Sequence, residues 1–188
     1  MIIHAWGDES GSHAASDPGA YILAAAVAEV QHIEEMRTAM ESLRLKSSGQ
    51  KLHWVDETSK RRAQIAATIA ELPVESFVVV RKGPPSDKPE RRRKKCLETM
   101  FQTLTDLGCA TLALESRGSR DDERDRQLLD KLRRGHKLHS SLKLSHAKGP
   151  TDPMLWMADA LCGAVSDDRN GEPTSLRVIT RKVDIQLI

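Results

Sequence analysis

Three acidic residues stand at positions of this sequence where a carboxylate is unexpected. Asp8 and Glu115 each follow a short apolar segment of the kind that forms a buried strand. Asp159 lies well inside a predicted helix, at helical spacing from Leu155 and Cys162 of its apolar stripe. A carboxylate that faces a core costs free energy unless it is paired, protonated or bound to a metal ion. The three acids are therefore candidates for a functional site.

Taken together, the three carboxylates predict a site for divalent cations. Carboxylate oxygens suit Mg²⁺ or Mn²⁺, which relieve the repulsion between crowded like charges. Two such ions about 3.5–4 Å apart can activate a water and stabilise the leaving oxygen of a phosphodiester. This interpretation makes Asp8, Glu115 and Asp159 both the catalytic and the metal-binding residues.

Each acid also has a simpler role, which the sequence leaves open. Asp8 can open a turn or cap a loop amide, and Glu115 can be a solvated residue at a strand edge. Asp159 can form a salt bridge to an arginine of segment 117–134.

Four neighbouring polar residues are second-tier candidates for the same site. Ser10 and Ser116 follow the strand-end acids and can hold a phosphate or position a water. Glu9 points away from Asp8 by strand alternation, so the two serve one site only if a turn begins between them. His53 is a further candidate neighbour of the carboxylates.

A basic segment precedes the Asp159 helix and is the predicted nucleic-acid contact. Residues 131–148 contain six Lys or Arg and three His, with no acid among them. On a chain with a net charge of +2, this local excess can track a phosphate backbone with salt-dependent affinity. A solvated loop is the open alternative. The predicted phosphate contacts are Arg133, Arg134, Lys137, Lys143 and Lys148.

Two other groups of side chains carry less weight. His136, His139 and His146 match no common closed zinc site and are interpreted as exposed loop residues. Residues 91–95 form a dense basic run early in a helix, where cations are slightly unfavourable, and are interpreted as a solvated face.

Composition excludes several classes of protein. A charged fraction of 30% with a net charge of +2 excludes an acidic tail and a generally polycationic chain. Aromatic residues make up 3% of the sequence, which argues against a single-strand binder built on base stacking. No apolar run approaches the ~20 residues of a bilayer span and no signal peptide is visible, so a cytoplasmic protein without membrane contact is expected. Three widely spaced cysteines indicate reduced thiols.

Strands that alternate with helices predict an α/β domain with a mixed or largely parallel sheet. In such folds ligands bind beyond the carboxyl ends of the strands, where Asp8 and Glu115 are expected. The domain is expected over residues 1–170, followed by a C-terminal extension, 171–188, whose alternating residues suit a strand or a partner-binding segment. Predicted strands cover 2–7, 20–30, 74–80, 110–114 and 142–144, and predicted helices cover 33–46, 56–72, 90–107, 121–132 and 153–165.

Two segments resemble motifs of a large prokaryotic family known as domain of unknown function 3800. Its opening (Y/I)xDESG motif is similar to residues 6–11, Trp-Gly-Asp-Glu-Ser-Gly, and its closing QLADLIAGAV helix is similar to residues 157–165. That family is placed in the ribonuclease H-like superfamily, so the resemblance implies a central mixed sheet flanked by helices. It also implies that Asp8, Glu115 and Asp159 correspond to the first-strand, fourth-strand and late-helix acids of the superfamily.

These features lead to two main hypotheses for function. The first is a divalent-metal-dependent nuclease that hydrolyses DNA or RNA, with Mg²⁺ or Mn²⁺ as cofactor and nucleic acid as partner. The second is a non-catalytic ribonuclease H-like partner module in a bacterial defence, toxin or mobile-element system. A phosphatase or nucleotide hydrolase that uses the same acids is a third. The sequence leaves open whether the chain forms a homo-oligomer and which protein partner it has.

Overall fold

A six-stranded mixed sheet with helices on both faces forms the fold, so the predicted α/β architecture is confirmed. The computed structural model describes residues 2–11, 17, 19–45, 49–84, 86–138 and 141–188. The strands are β1 (Ile3–Gly11), β2 (Ala20–Glu29), β3 (Glu75–Lys82), β4 (Thr111–Glu115), β5 (Lys143–Ala147) and β6 (Val183–Leu187). The helices are α1 (Ile33–Leu43), α2 (Ser59–Glu71), α3 (Pro89–Asp106), α4 (Ser119–Arg134), α5 (Pro153–Arg169) and α6 (Thr174–Ile179). Short 3-10 helices lie at Val30–His32, Trp54–Asp56, Gly149–Thr151 and Thr180–Lys182.

The strand order is β5-β4-β1-β2-β3-β6, and among the described strands β2 runs against the other five. β1, β4 and β5 are parallel neighbours, with Gly7 opposite Leu114 and Glu115 opposite Ala147. Because neighbouring parallel strands end at the same edge, the carboxyl ends of these three strands lie side by side. This edge is the place where an α/β fold binds its ligand.

Two helical layers cover the sheet. α1, α2, α5 and α6 pack on one face, here named the α5 face, and α3 and α4 pack on the other, here named the α3 face. β2 is buried on both faces, which explains its continuous apolar sequence. Ala24 and Ala26 of β2 belong to the core on the α5 face, where their small side chains leave room for α5 to pack. No helix within the described ranges is both long enough and apolar enough to cross a bilayer.

β1 is longer than the sequence predicts. The turn-forming residues 8–11 stay in the strand because they pair with residues 21–24 of β2 in antiparallel register, with Asp8 opposite Ala24. The sequence predicts Asp8 at the end of its strand, but β1 continues to Gly11. Asp8 directly follows the last pair between β1 and β4. From Asp8 onward, the residues of β1 do not pair with β4.

The residues after 170 contribute to the sheet. α6 packs on α2 and α5, and β6 pairs in parallel with β3, with Ile185 opposite Val78. The tail therefore forms a strand, one of the two outcomes expected for it. The domain boundary at residue 170 stays a prediction.

Several contacts fix the start of α5, the helix that carries Asp159. The Asp152 carboxylate caps this helix by accepting the N–H of Met154 at 3.1 Å, and a proline occupies the first turn. The same carboxylate accepts the indole N–H of Trp6 at 2.9 Å and pairs with Arg37 at 3.1 Å. These bonds tie α5 to β1 and α1 about two turns ahead of Asp159.

Trp54 fixes the segment before α2 against α5. Its indole packs on Gly163, where an added Cβ would overlap the ring, and its Nε1–H donates to Asp167 at 3.0 Å. The Arg62 guanidinium lies 5.6 Å from the ring centroid and also pairs with Asp167. Gly163 is thus required for the close approach of two elements that meet beside Asp159.

We expect Gly163→Ala to lower the free energy of unfolding by about 1–3 kcal/mol, because the new methyl group and the Trp54 indole need the same space. Urea unfolding followed by tryptophan fluorescence measures the change. Gly135→Ala is the control, since Gly135 has an ordinary φ of −82° at the exposed end of α4 and an added Cβ would come no closer than 3.3 Å, to the Lys131 carbonyl oxygen. That control should change stability by no more than about 0.5 kcal/mol. Equal losses in the two variants would contradict the expected overlap.

Candidate active site

The three predicted acids lie at one end of the α5 face. Asp8 belongs to β1, Glu115 is the last residue of β4, and Asp159 lies in α5. β1 and β4 stop pairing directly before Asp8 and Glu115, so these two acids follow at the same level on neighbouring strands. α5 packs across β1, and the Cys162 thiol donates to the Asp8 carbonyl at 3.1 Å. The helix therefore carries Asp159 over the ends of the two strands.

The three carboxylates are close enough to interact through their charges. Burial, together with the charges of Asp159 and Glu115, raises the pKa of Asp8 to about 8. Burial also raises the pKa of Asp159, although the backbone N–H of Trp54 and the nearby His53 act against the rise. Carboxylates crowded in this way are stabilised in their charged form by a nearby cation.

A segment between α1 and α2 supplies the polar contacts of two of the acids. The Lys51 ammonium donates to both carboxylate oxygens of Glu115, at 2.8 and 3.2 Å. The backbone N–H of Trp54 donates to Asp159 at 2.8 Å, and His53 Nδ1 lies 3.5 Å from the same oxygen. His53 is among the residues predicted from the sequence, whereas Lys51 is not, because Lys51 has no spacing relation to any of the three acids.

The donor set fits a hard divalent cation. All three side chains offer carboxylate oxygens, the ligands that Mg²⁺ and Mn²⁺ prefer. Among the described residues, Lys and Arg side chains form no ion pair with Asp8 or Asp159, so a cation that displaces the proton of Asp8 would meet carboxylate charge that no Lys or Arg pairs with directly. Within the same residues, no three Asp, Glu, His or Cys side chains are grouped tightly enough to hold an ion. Glu115 is instead bound to Lys51.

The Glu9 carboxylate is directed away from the three acids, although Glu9 is among the residues that line a cleft beside Asp159. It points to the α3 face, where it pairs with Arg93 at 2.6 Å and with Arg117 at 3.2 Å. The side chains of Asp8 and Glu9 lie on opposite faces because β1 continues through both residues without turning. No turn begins between the two residues, and a role for Glu9 at the site stays a prediction.

The other second-tier candidates, Ser10, His53 and Ser116, lie at two places. The Ser116 hydroxyl donates to Asp122 at 2.7 Å and holds the loop before α4, an attachment visible only in the folded chain. Ser10 and His53 line a cleft of about 320 Å³ that opens beside Asp159. A catalytic role for any of them stays a prediction.

The predicted basic segment is divided between the two ends of the sheet. Lys148 follows β5 at the end where Glu115 lies, because the last residue of β5 pairs with Glu115. The other predicted contacts belong to the opposite end, since α4 runs back from the Glu115 end and β5 begins there. They are Arg133, Arg134, Lys137 and Lys143. The structure does not bring these four together with the carboxylates, and their binding of nucleic acid stays a prediction.

A buried network of ion pairs lies on the α3 face. It includes Arg93 and His146, two residues that the sequence predicts to be exposed. Arg93, from the basic run, is 3% exposed and pairs with Asp125, so this part of the run is not a solvated face. His146 is not an exposed loop residue, because its Nε2 lies 3.0 Å from Asp125 and 2% of its side chain is exposed. Burial would raise the pKa of Asp125, but hydrogen bonds with His146 and Arg93 lower it. His136 is exposed, and His139 lies outside the described residues.

The fold is similar to those of ribonucleases HII and HIII. A chain in the structure of the PCNA:RNase HII complex from Archaeoglobus fulgidus has a TM-score of 0.58 at 16% identity, over 95% of this chain and 79% of that chain. Bst-RNase HIII in complex with Mn²⁺ has a TM-score of 0.59 at 15% identity, over 89% of this chain and 53% of that chain. The present chain thus spans about half the length of that protein. Ribonuclease H2 from Pyrococcus horikoshii OT3 has a TM-score of 0.50 at 14% identity, over 91% and 75% of the two chains.

At such low identities the similarity establishes the fold alone, and the predicted ribonuclease H-like mixed sheet flanked by helices is confirmed. No protein-family model matches the sequence, so the resemblance to domain of unknown function 3800 is not confirmed. No curated protein matches the sequence either.

We expect Arg93→Met to lower the free energy of unfolding by about 3–5 kcal/mol, because the buried Asp125 carboxylate loses its guanidinium partner and retains His146, while Glu9 retains Arg117. Chemical denaturation measures the loss. Lys95→Met is the matched control on the same helix, since Lys95 is 49% exposed and pairs with Glu98 at the surface. Its effect should stay within about 1 kcal/mol. A loss for Arg93→Met no larger than that of the control would show that the network does not stabilise the fold.

The raised pKa of Asp8 predicts how the stability of the metal-free protein depends on pH. A carboxyl whose pKa rises on folding binds its proton more tightly in the folded state, so the free energy of unfolding falls as pH rises from about 4 to about 8. At about 1.4 kcal/mol per unit, the loss between pH 5 and pH 8 is on the order of 4 kcal/mol. Denaturation in the presence of a chelator measures it.

Asp8→Asn should reduce this pH dependence, because an amide does not titrate. Asp130→Asn, on the exposed face of α4 where 61% of the Asp130 side chain is accessible, should leave it unchanged. A pH dependence that is the same in wild type and Asp8→Asn would contradict the assignment of the titration to Asp8.

Proposed function

We propose that the chain is a divalent-metal-dependent nuclease that hydrolyses phosphodiester bonds of DNA or RNA. The observation that carries the proposal is that Asp8, Glu115 and Asp159 lie close enough to interact through their charges where β1 and β4 stop pairing, with the pKa of Asp8 raised to about 8. The ribonuclease H-like fold supports the same class of reaction. One of the similar structures is a ribonuclease HIII in complex with Mn²⁺, which supports the choice of ion.

In this proposal Asp8 and Asp159 hold Mg²⁺ or Mn²⁺, with Glu115 beside them. When bound, such an ion lowers the pKa of a water and stabilises negative charge on the phosphodiester. The Trp54 N–H binds one oxygen of Asp159 and the Glu9 N–H binds one oxygen of Asp8, at 2.8 and 2.7 Å. Each carboxylate is therefore held in one orientation before any ligand arrives.

The cleft beside Asp159 is the proposed path of the nucleic-acid backbone. Its volume is about 320 Å³, and Ser10, His53 and Arg62 are among the residues that line it. Hydroxyl, imidazole and guanidinium groups donate hydrogen bonds to phosphate oxygens. The exposed Lys148 adds positive charge at the same end of the sheet.

One observation favours the second candidate, a non-catalytic ribonuclease H-like partner module. The Lys51 ammonium already forms an ion pair with one of the three acids. A cation built into the chain could replace a bound metal ion and preserve the scaffold without the reaction. Binding of Mn²⁺ by the purified chain separates the two candidates, because the nuclease requires it and the module does not.

We expect Asp159→Asn to reduce metal-dependent cleavage by roughly 100-fold or more, because an amide is a far weaker metal ligand than a carboxylate. The assay uses end-labelled single-stranded DNA, duplex DNA, single-stranded RNA and RNA–DNA hybrid, with Mg²⁺, Mn²⁺ or a chelator. Asp168→Asn is the matched control, since Asp168 lies on the exposed side of the same helix. It should retain wild-type cleavage.

Circular dichroism and thermal melting establish that both variants are folded. Cleavage that survives unchanged in Asp159→Asn, or that persists in the chelator, would reject the proposed site.

A further inference from the structure

Lys51 forms the closest ion pair at the carboxylate site. Its Nζ donates to Glu115 Oε1 at 2.8 Å and to Oε2 at 3.2 Å. The two side chains are 24% and 23% exposed, so the pair is largely shielded from solvent. Such a pair is much less screened by salt than the surface pairs on the outer helices.

The charge of Lys51 acts on all three acids. It lowers the pKa values of Asp8 and Asp159 against the opposing effects of burial and of the neighbouring acids. Burial would lower the pKa of Lys51 itself, but the hydrogen bond and charge of Glu115, together with the charges of the two aspartates, raise it. Among the described residues, the Lys51 ammonium is the Lys or Arg cation that forms an ion pair with one of these three carboxylates.

The number of charges limits how many metal ions the site can hold. A divalent ion that binds displaces the proton of Asp8, and among the described residues the three ionised carboxylates and the one ammonium then leave two negative charges, which a single divalent ion neutralises. Two divalent ions would leave the site with a net positive charge before the substrate phosphate arrives, and burial makes uncompensated charge costly. The side chains available for one ion are Asp8 and Asp159, because Glu115 is bound to Lys51.

We propose that Lys51 takes the place of the second metal ion, so that the site binds a single divalent cation. This inference rests on the proposed nuclease function. The ammonium has three N–H donors, so it can keep a hydrogen bond to Glu115 and direct another to a phosphate oxygen of the substrate. Lys51 stays protonated throughout, and no bond to its nitrogen other than these hydrogen bonds forms or breaks. Its contribution is a fixed positive charge beside the phosphate.

Counting bound Mn²⁺ on the full chain tests this inference without relying on activity. Electron paramagnetic resonance of free Mn²⁺ and isothermal titration calorimetry give the number of ions per chain and their affinity. We expect one Mn²⁺ per wild-type chain. Lys51→Met should bind a second Mn²⁺, and its first ion should bind on the order of 10-fold more tightly because a nearby positive charge has been removed.

Three further variants separate charge from structure. Lys51→Arg keeps the charge and should still bind one ion, whereas Lys51→Gln keeps a hydrogen-bond donor to Glu115 without the charge and should behave as Lys51→Met does. Lys60→Met removes a positive charge from the exposed start of α2 and should still bind one ion. A merely structural lysine would change melting temperature without changing the number of bound ions.

The outcomes distinguish this inference from the proposed function. Two Mn²⁺ on the wild-type chain, or an unchanged count in both uncharged variants, overturns the single-ion site and leaves the nuclease proposal standing. No Mn²⁺ on the wild-type chain overturns the nuclease proposal itself. Cleavage by Lys51→Met at or above the wild-type rate, at an Mn²⁺ concentration where a single ion is bound to that variant, also overturns the contribution of Lys51.

Discussion

Like charges that are buried together repel, and this repulsion is concentrated where β1, β4 and α5 meet. Asp8 and Asp159 are held in shielded positions beside Glu115, and the pKa values of both aspartates are raised as a result. Lys51 offsets part of the repulsion through Glu115. The rest of the molecule must supply enough favourable packing and polar anchoring to keep these groups together.

Polar contacts at both ends of the site perform that anchoring. At the start of α5, Asp152 joins the helix to β1 through Trp6 and to α1 through Arg37. Further along the helix, Trp54 packs on Gly163 and presents its backbone N–H to Asp159. Since each anchor joins α5 to a different element, the position of Asp159 is determined by the packing of three elements and not by its own helix.

In the described part of the chain, buried acids are paired with arginine on the α3 face of the sheet, whereas two of them are not on the α5 face. On the α3 face, Arg93 is paired with both Glu9 and Asp125, so acids and cations largely neutralise one another and the network serves the fold. On the α5 face, Asp8 and Asp159 form no ion pair with Lys or Arg among the described residues. Titratable groups with strongly perturbed pKa values cluster at functional sites, and the perturbed aspartates lie on the α5 face.

The sequence by itself determined the α/β class, most of the elements to within a few residues, and the three candidate acids. These follow from patterns that are local in the chain, such as the spacing of Asp159 within its helix and the apolar segments before Asp8 and Glu115. Only the tertiary structure decided that β1 continues past Asp8, because its partner strand lies elsewhere in the chain. It also brought Lys51 to Glu115 across 64 positions and buried Arg93 between helices. Such contacts depend on which faces pack together, and no spacing pattern in the sequence encodes that choice.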